Sequence, residues 1–163
     1  MLKLDNSTVE IFNTTRQWLP KKALKSAIAA VLYEEQHTPL MISAVYCGDR
    51  FIKKINQQYL QHDYATDTIS FRLNEGSAVE GEFYISLDTV RRNARRYRQS
   101  FIAELLRVTI HSTLHLVGYN DETDSQRSLM TEKEDYYLAL LCTTSLKRYA
   151  KSITAGMEHV KVK

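Results

Sequence analysis

All segments that resemble β-strands lie within the first 87 residues of the chain, and helical periodicity dominates the remaining residues. Short apolar or alternating runs predict strands over residues 8–12, 40–47, 68–73 and 82–87. Apolar residues at helical spacing predict helices over 20–35 and around 51–59, and further helices after residue 87. A chain that places its strands first and its helices last favours an α+β fold, with a small mixed β-sheet packed against helices.

Two local signals set element boundaries in the middle of the chain. Residues 74–77, Asn-Glu-Gly-Ser, are turn sequence, and their position predicts that strands 68–73 and 82–87 pair as a hairpin. Gly118 follows an apolar helical segment that begins near Leu105. Because glycine reaches the left-handed conformation without a Cβ penalty, we expect this helix to end there.

The C-terminal part of the chain is predicted to hold one more helix and a basic tail. Thr123 and Gln126 have the spacing of a capping box, which predicts a helix over about 124–142. We expect residues 1–145 to form a single domain. The tail, residues 146–163, carries several lysines and an arginine, and we expect it to be partly disordered.

The composition is that of one globular domain with a core: the chain has 163 residues, of which 44% are hydrophobic and 25% charged. No apolar run approaches the roughly 18 residues of a membrane span, and the sequence shows no apolar leader segment, so we expect a cytoplasmic protein. The two cysteines, Cys47 and Cys142, are too few for a disulfide framework, and we expect both to be reduced and buried. The net charge of +3 is compatible with a polyanionic partner but does not require one.

The segment His-Ser-Thr-Leu-His-Leu-Val-Gly-Tyr-Asn-Asp, residues 111–121, carries the most specific chemistry. His111 and His115 are four residues apart, which places them one turn apart on the same helix face, where two imidazoles can share a metal ion. Gly118 lets the chain double back, and Asp121 can then bring a carboxylate to the same ion. Two histidines, one aspartate and one position left for water are the layout of a catalytic zinc site.

Other interpretations of this pattern remain open at this point. A pair of histidines four residues apart also occurs incidentally on amphipathic helices. Ser112 stands where zinc proteases carry a glutamate general base directly after the first histidine, which argues against a protease of that kind. A metal-dependent hydrolase of another substrate remains an alternative, and the ligand types alone also fit an iron oxygenase.

Residues 91–98 contain five arginines and no acid, and they are predicted to form an RNA-binding surface. On a helix, four of these side chains form a stripe: Arg91, Arg92, Arg95 and Arg96. Like charges one turn apart repel by a few tenths of a kcal/mol per pair, which RNA phosphates would relieve; a solvated helix face is the alternative. Tyr119, beside the histidine motif, could stack on an unpaired base, with ordinary packing as the alternative.

Three blocks of the sequence occur in the order and spacing of a known family. They are residues 63–71, Asp-Tyr-Ala-Thr-Asp-Thr-Ile-Ser-Phe, residues 81–86, Gly-Glu-Phe-Tyr-Ile-Ser, and residues 111–121. With these blocks the chain resembles the YbeY endoribonuclease family of rRNA maturation factors. The resemblance implies a zincin-like, zinc-dependent endoribonuclease that prefers single-stranded RNA. It further implies action on the 3′ end of 16S rRNA, association with the small ribosomal subunit and a role in ribosome quality control.

The resemblance also implies roles for individual residues. His111, His115 and Asp121 match the metal ligands of the family, with an aspartate where the third ligand is usually a histidine. A branch of the family carries a carboxylate at that position, and aspartate is a competent zinc ligand. Leu60 stands where members often have an arginine, and Arg72 is the candidate that replaces it as a phosphate contact.

The sequence leaves the proton acceptor of the reaction undecided. Glu82 and Asp67 lie on the strands nearest the histidine motif in the family pattern, and each also fits a carboxylate that merely caps a strand or helix. Attack by the 2′-OH of the RNA itself is a further alternative. A different kind of protein also remains open, a ribosome-assembly or RNA-binding factor that the metal stabilises and that has little catalysis.

Overall fold

The computed structural model describes residues 8–61 and 63–158, with side chains described as far as residue 144. Nine elements follow one another in the order that the sequence predicts. The strands are β1 (Val9–Asn13), β2 (Thr38–Cys47), β3 (Thr68–Arg72) and β4 (Ala78–Ser86). The helices are α1 (Lys21–Glu34), α2 (Asp49–Leu60), α3 (Leu87–Arg96), α4 (Phe101–Leu116) and α5 (Asp124–Glu158).

The four strands form one mixed sheet in the order β1-β2-β4-β3, which confirms the predicted α+β class. Strand β2 pairs in parallel with β1 and with β4. Strands β3 and β4 form the predicted antiparallel hairpin, with Thr68 opposite Ile85 and Ser70 opposite Phe83. This pairing places β3 at an edge of the sheet, where one side of the strand lies against α4.

The two faces of the sheet are covered by different helices. The main core lies on the side of α1, α3 and α4, and its fully buried members include Leu24, Phe83 and Leu105. Helix α2 covers the other face, where Ile52 is buried in a smaller cluster. Helix α5 packs on α1 and α4, where Tyr137 joins a third cluster. Helix α4 is therefore held between the sheet and α5, and the residues on its sides are fixed by both.

Local contacts fix the end of α4 against the hairpin. A Cβ atom on Gly81 would lie 2.9 Å from a methyl group of Leu116 and 2.9 Å from the carbonyl oxygen of Phe71, so β4 can approach the last turn of α4 only with glycine there. The hydroxyls of Thr68 and Ser112 are 2.7 Å apart, which ties β3 to the same helix. These contacts set the histidine motif of α4 beside the edge strand.

The structure differs from the sequence expectations in three places. Strand β4 begins at Ala78, before the predicted residue 82, because its main chain pairs there with β2 despite the polar Glu80. Helix α5 continues to Glu158 instead of ending near 142, since residues 143–155 contain no proline or glycine to stop it. Cys47 is buried as expected, but Cys142 is exposed.

The extent of the domain, residues 1–145, and the disorder of the tail 146–163 stay predictions. Residues 159–163 lie outside the described part of the chain. Among the described residues, no helix is both long enough and apolar enough to span a bilayer.

Candidate metal centre

Two histidines on α4 meet at their ring nitrogens. His111 and His115 lie one turn apart, with ring centroids 4.6 Å apart and nearly perpendicular ring planes. Their Nε2 atoms are 3.0 Å from each other. Both side chains are partly buried, so the pair stands in the wall of a cleft and is reached from one side.

The other nitrogen of each ring donates to an acceptor behind it. Nδ1 of His111 is 2.7 Å from Oε1 of Glu134, and Nδ1 of His115 is 2.9 Å from the backbone oxygen of Tyr119. A carboxylate and a carbonyl oxygen can only accept, so Nδ1 carries the proton in both rings. In the neutral rings the two Nε2 lone pairs then face each other at 3.0 Å, and a cation bound between them would relieve their repulsion.

Asp121 completes the group after the chain turns back. Helix α4 ends at Leu116, and Gly118 adopts φ +102°, the left-handed backbone that glycine allows. Oδ2 of Asp121 lies 3.5 Å from Nε2 of His111 and 3.6 Å from Nε2 of His115. The three ligand atoms thus lie within 4.8 Å of one another.

This donor set fits a single zinc-type ion. Two imidazole nitrogens and one carboxylate oxygen would supply three ligands, the number that the protein provides in catalytic zinc sites, and all three residues line an open cleft. The sequence-based prediction that His111, His115 and Asp121 converge agrees with the described geometry. The identity of an ion does not follow from these three ligands, because iron and other divalent metals accept the same set.

A polar cleft of about 440 Å³ opens in front of the three ligands. The edge strand and the segment before it line one side, and the loop after α4 lines the other. Besides the ligands, its polar lining residues are Thr66, Asp67, Thr68, Ser70, Arg72 and Asn120. The volume and the polar lining suit a short stretch of a charged, hydrogen-bonding substrate.

The environments of the two histidines differ in charge. Burial by itself lowers the pKa of His111, but the hydrogen bond and negative charge of Glu134 outweigh it and raise that pKa above its ordinary value. The pKa of His115 is lowered by burial and by the neighbouring His111. The negative charge beside His111 thus has no counterpart beside His115, whose Nδ1 bonds to a neutral carbonyl oxygen.

The structure brings one of the two candidate bases to the cleft. Asp67 lines it, and its negative charge acts on His111. The side chain of Glu82 instead accepts a hydrogen bond from the hydroxyl of Tyr84 at 3.2 Å. Because Gly81 and Phe83 face the α4 side and strand residues alternate, Glu82 points to the opposite face of the sheet. The geometry gives the proposed catalytic role of Glu82 no support.

Arg72 lines the cleft, but its guanidinium is bound to the protein itself. It donates to the carbonyl oxygens of Leu116, Gly76 and Ala78 and to the side chain of Asn74. These bonds join the β3–β4 turn to the end of α4. Arg72 thus has an evident structural role, and its expected role as a phosphate contact in place of the missing arginine stays a prediction.

The four arginines of the stripe on α3 form two pairs that differ in their surroundings. Arg92 pairs with Asp49 at 2.7 Å, and Arg91 hydrogen bonds to Gln17 and packs over the ring of Phe101. Arg95 and Arg96, one turn further along, are exposed to solvent. The four arginines are absent from the lining of the described cleft, so any contact of theirs with a substrate lies outside it.

Tyr119 is used for packing in this structure. Its hydroxyl donates to Glu35 at 2.8 Å, and the ammonium group of Lys133 lies 5.3 Å from its ring centre. The ring is partly buried and packs against the cluster of α1, α4 and α5. This arrangement matches the packing alternative to base stacking, because the ring already has partners.

Sequence reasoning missed Glu134 as part of the site. It lies on α5 between Met130 and Tyr137, which are both buried at helical spacing, and it is itself 8% exposed. An acid on the apolar stripe of a helix is a detectable signal, since a buried carboxylate needs a partner. Its partner, 23 residues away, is not visible in the local pattern.

The fold and the site together define an α+β protein with a candidate single-metal centre of two histidines and one aspartate. A family model described as Endoribonuclease YbeY matches residues 5–142. The chain therefore belongs to the endoribonuclease YbeY family, which confirms the resemblance seen in its sequence.

Relatives and a solved structure agree with this assignment. A protein from Chloroherpeton thalassium named Endoribonuclease YbeY is 58% identical over 134 residues, 82% of this chain and 95% of that relative. One of the same name from Chlorobium phaeovibrioides is 52% identical over 134 residues, 82% of this chain and 90% of that relative. The solution structure of TM1509 from Thermotoga maritima is similar with a TM-score of 0.63 and 28% identity, covering 86% of this chain and 93% of that one.

Proposed function

We propose that this protein is a zinc-dependent endoribonuclease that cleaves single-stranded RNA during rRNA maturation. Its expected substrate is the 3′ end of the small-subunit rRNA precursor, and its expected setting is the small ribosomal subunit in the cytoplasm, including ribosome quality control. The family to which the chain belongs supports the reaction class. The convergence of His111, His115 and Asp121 at the cleft is the single observation that carries the proposal.

The ligands and their supports perform distinct tasks. A zinc ion held by the three ligands would supply Lewis-acid chemistry, activating water and polarising a phosphoryl oxygen. The acceptors behind the rings, Glu134 and the carbonyl of Tyr119, keep both Nε2 atoms directed at the cleft. Asp121 adds a negative charge, which lowers the net charge of the centre compared with three neutral histidines.

Asp67 is the proposed proton acceptor if water is the nucleophile. It is the carboxylate in the cleft lining that is not one of the three candidate ligands. One of its oxygens accepts from the backbone N–H of Thr68 at 2.9 Å, which fixes the orientation of the carboxylate. If the 2′-OH of the RNA is the nucleophile instead, the same position suits removal of that proton.

The exposed arginines of α3 are proposed to bind the part of the RNA that lies outside the cleft. Arg95 and Arg96 are exposed, whereas Arg92 is already paired with Asp49. Guanidinium groups bind phosphates with bidentate hydrogen bonds, and such contacts give affinity without sequence preference. A single-stranded substrate suits an open cleft, because it can bend into the cleft while its phosphates contact a neighbouring surface.

The test compares cleavage of single-stranded and duplex RNA by the wild-type protein, by His115→Ala and by the control His37→Ala. His37 lies outside the cleft lining and bonds to the backbone of Glu35. We expect His115→Ala to keep its circular dichroism spectrum but lose metal and cleavage, while His37→Ala keeps both. Cleavage that survives in folded His115→Ala would exclude a catalytic metal. Ribosome-assembly function that survives there without cleavage would favour the assembly factor.

A further inference from the structure

We propose that Glu134 is a positioning residue of the metal centre, which selects the Nδ1–H tautomer of His111 and, held by Arg107, directs Nε2 of His111 into the cleft. The inference rests on the proposed function only where it concerns zinc. The tautomer itself is a property of the metal-free chain. Neither Glu134 nor Arg107 is a ligand, so both act through His111.

The contact between the ring and the carboxylate is short and shielded from water. Nδ1 of His111 is 2.7 Å from Oε1 of Glu134, and Glu134 is 8% exposed. A hydrogen bond to an ionised acceptor is among the stronger ones in proteins, and burial reduces competition from water. Free imidazole has two tautomers, so an anionic acceptor at Nδ1 decides which nitrogen keeps its lone pair.

The second oxygen of Glu134 is fixed independently. Oε2 of Glu134 is 3.0 Å from a terminal nitrogen of Arg107, and the other terminal nitrogen of Arg107 is 2.8 Å from Asp135. Arg107 lies on α4 one turn before His111, whereas both acids lie on α5. The carboxylate is thereby held between two groups of the same helix, and it cannot rotate away from the ring without breaking the ion pair.

The two histidines have supports of different charge. The acceptor of His115 is the neutral carbonyl of Tyr119, and the acceptor of His111 is a carboxylate. A carboxylate partner makes an imidazole a stronger donor to a metal than a carbonyl partner does. His111 is therefore the better donor of the pair, and Glu134 should contribute to metal affinity as well as to ring orientation.

A purely structural role for Glu134 is the competing explanation, since it also links α4 to α5. Three variants separate the two roles. Glu134→Ala removes both contacts, and Glu134→Gln keeps the shape and an oxygen that can accept from Nδ1 but loses the charge. Asp135→Ala is the matched control, because Asp135 pairs with the same Arg107 without contacting His111.

The first measurement is the tautomer of His111 by ¹⁵N NMR in the metal-free protein, at a pH that keeps the ring neutral. We expect the Nδ1–H form in the wild type, in Asp135→Ala and in Glu134→Gln, and its loss in Glu134→Ala. An Nε2–H ring in the wild type, or an unchanged tautomer in Glu134→Ala, would overturn the proposal. This readout does not depend on RNA cleavage, so a failure of the proposed function leaves it standing.

The second measurement is zinc affinity by competition with a chromophoric chelator. Glu134→Ala should bind zinc roughly 10–100-fold more weakly than the wild type, and Glu134→Gln should lie between them. Asp135→Ala should stay within about twofold of the wild type, since exposed ion pairs contribute little. Equal zinc affinity in Glu134→Ala and Asp135→Ala, with only thermal stability reduced, would make Glu134 a structural residue and overturn the proposal.

Discussion

The backbone carbonyl of Tyr119 accepts a hydrogen bond from Nδ1 of His115 at 2.9 Å, so the loop that leaves α4 orients a histidine on the last turn of that helix. The same loop delivers Asp121 to the two Nε2 atoms. Gly118 stands at the start of this loop with left-handed backbone. The geometry of the candidate metal centre therefore depends on Gly118, a residue that contributes no ligand atom.

Gly118→Ala tests this dependence. A residue with a Cβ in left-handed backbone costs roughly 1–2 kcal/mol, and relief of that strain would shift both the acceptor of His115 and Asp121. We expect the variant to be less stable in urea and to bind zinc more weakly. Gly76→Ala is the matched control, since Gly76 also has positive φ, at +95°, but precedes no ligand. Unchanged zinc affinity in Gly118→Ala, or equally weakened zinc affinity in both variants, would show that the metal site does not depend on the backbone conformation of Gly118.

The stability of the loop should depend on pH through Glu35. Burial alone raises the pKa of Glu35, but hydrogen bonds from Lys133, Tyr137 and Tyr119 outweigh it and lower that pKa below its ordinary 4.5. The folded state thus favours the charged carboxylate, and this stabilisation is present above the unfolded pKa and lost as pH falls through the folded one.

Glu35→Gln should therefore lower the free energy of unfolding at neutral pH, by roughly 1–3 kcal/mol. The difference from the wild type should shrink as the pH is lowered below about 4.5. Urea unfolding at several pH values measures both effects, with the exposed neighbour Glu34 as a control in Glu34→Gln. A difference in free energy of unfolding that increases as the pH falls would contradict this explanation.

Arg72 should prove important for stability. Its guanidinium binds backbone carbonyls at the end of α4 and in the β3–β4 turn, so Arg72→Ala should cost roughly 1–3 kcal/mol. The exposed Arg50 gives a control in Arg50→Ala, for which we expect little change. Thermal unfolding and RNA affinity are measured together. Weaker RNA binding at unchanged stability and metal content would instead assign Arg72 to the substrate phosphates.

The division of the arginine stripe predicts unequal effects on RNA binding. The double variant Arg95→Ala/Arg96→Ala should weaken the binding of single-stranded RNA and reduce the salt dependence, by about 0.7 in slope for each phosphate that the protein no longer neutralises. The double variant with alanine at positions 91 and 92 removes the same formal charge from the same helix, yet should affect the slope less, since Arg92 is paired. Equal slopes for the two double variants would contradict this division.

Much of this fold is encoded in local patterns of the sequence. The order of strands and helices, the hairpin and the end of α4 just before Gly118 follow from periodicity and turn chemistry, because each depends on neighbouring residues. The three candidate metal ligands also lie within eleven residues, so helical spacing and one glycine were enough to predict that they converge. The full length of α5 was missed because its apolar pattern fades while its helix-forming residues continue.

The parts of the site that were missed depend on distant partners. Glu134 meets His111 across 23 residues, and Tyr119 meets Glu35 across 84. No local pattern states which buried acid will face which ring. The same limit affected Glu82, whose side of the sheet depends on how β4 pairs and on the close approach of Gly81 to α4.

The convergence of His111, His115 and Asp121 on one ion can be tested with the purified wild-type protein and Asp121→Ala. Zinc content and RNA cleavage are measured in both proteins. We expect about one zinc ion per chain in the wild type, in keeping with a three-ligand catalytic site, and cleavage that chelation abolishes and zinc restores. Asp121→Ala should lose both metal and cleavage while remaining folded. Equal metal occupancy in the two proteins would show that Asp121 is not a ligand. That result would contradict a metal site formed by His111, His115 and Asp121.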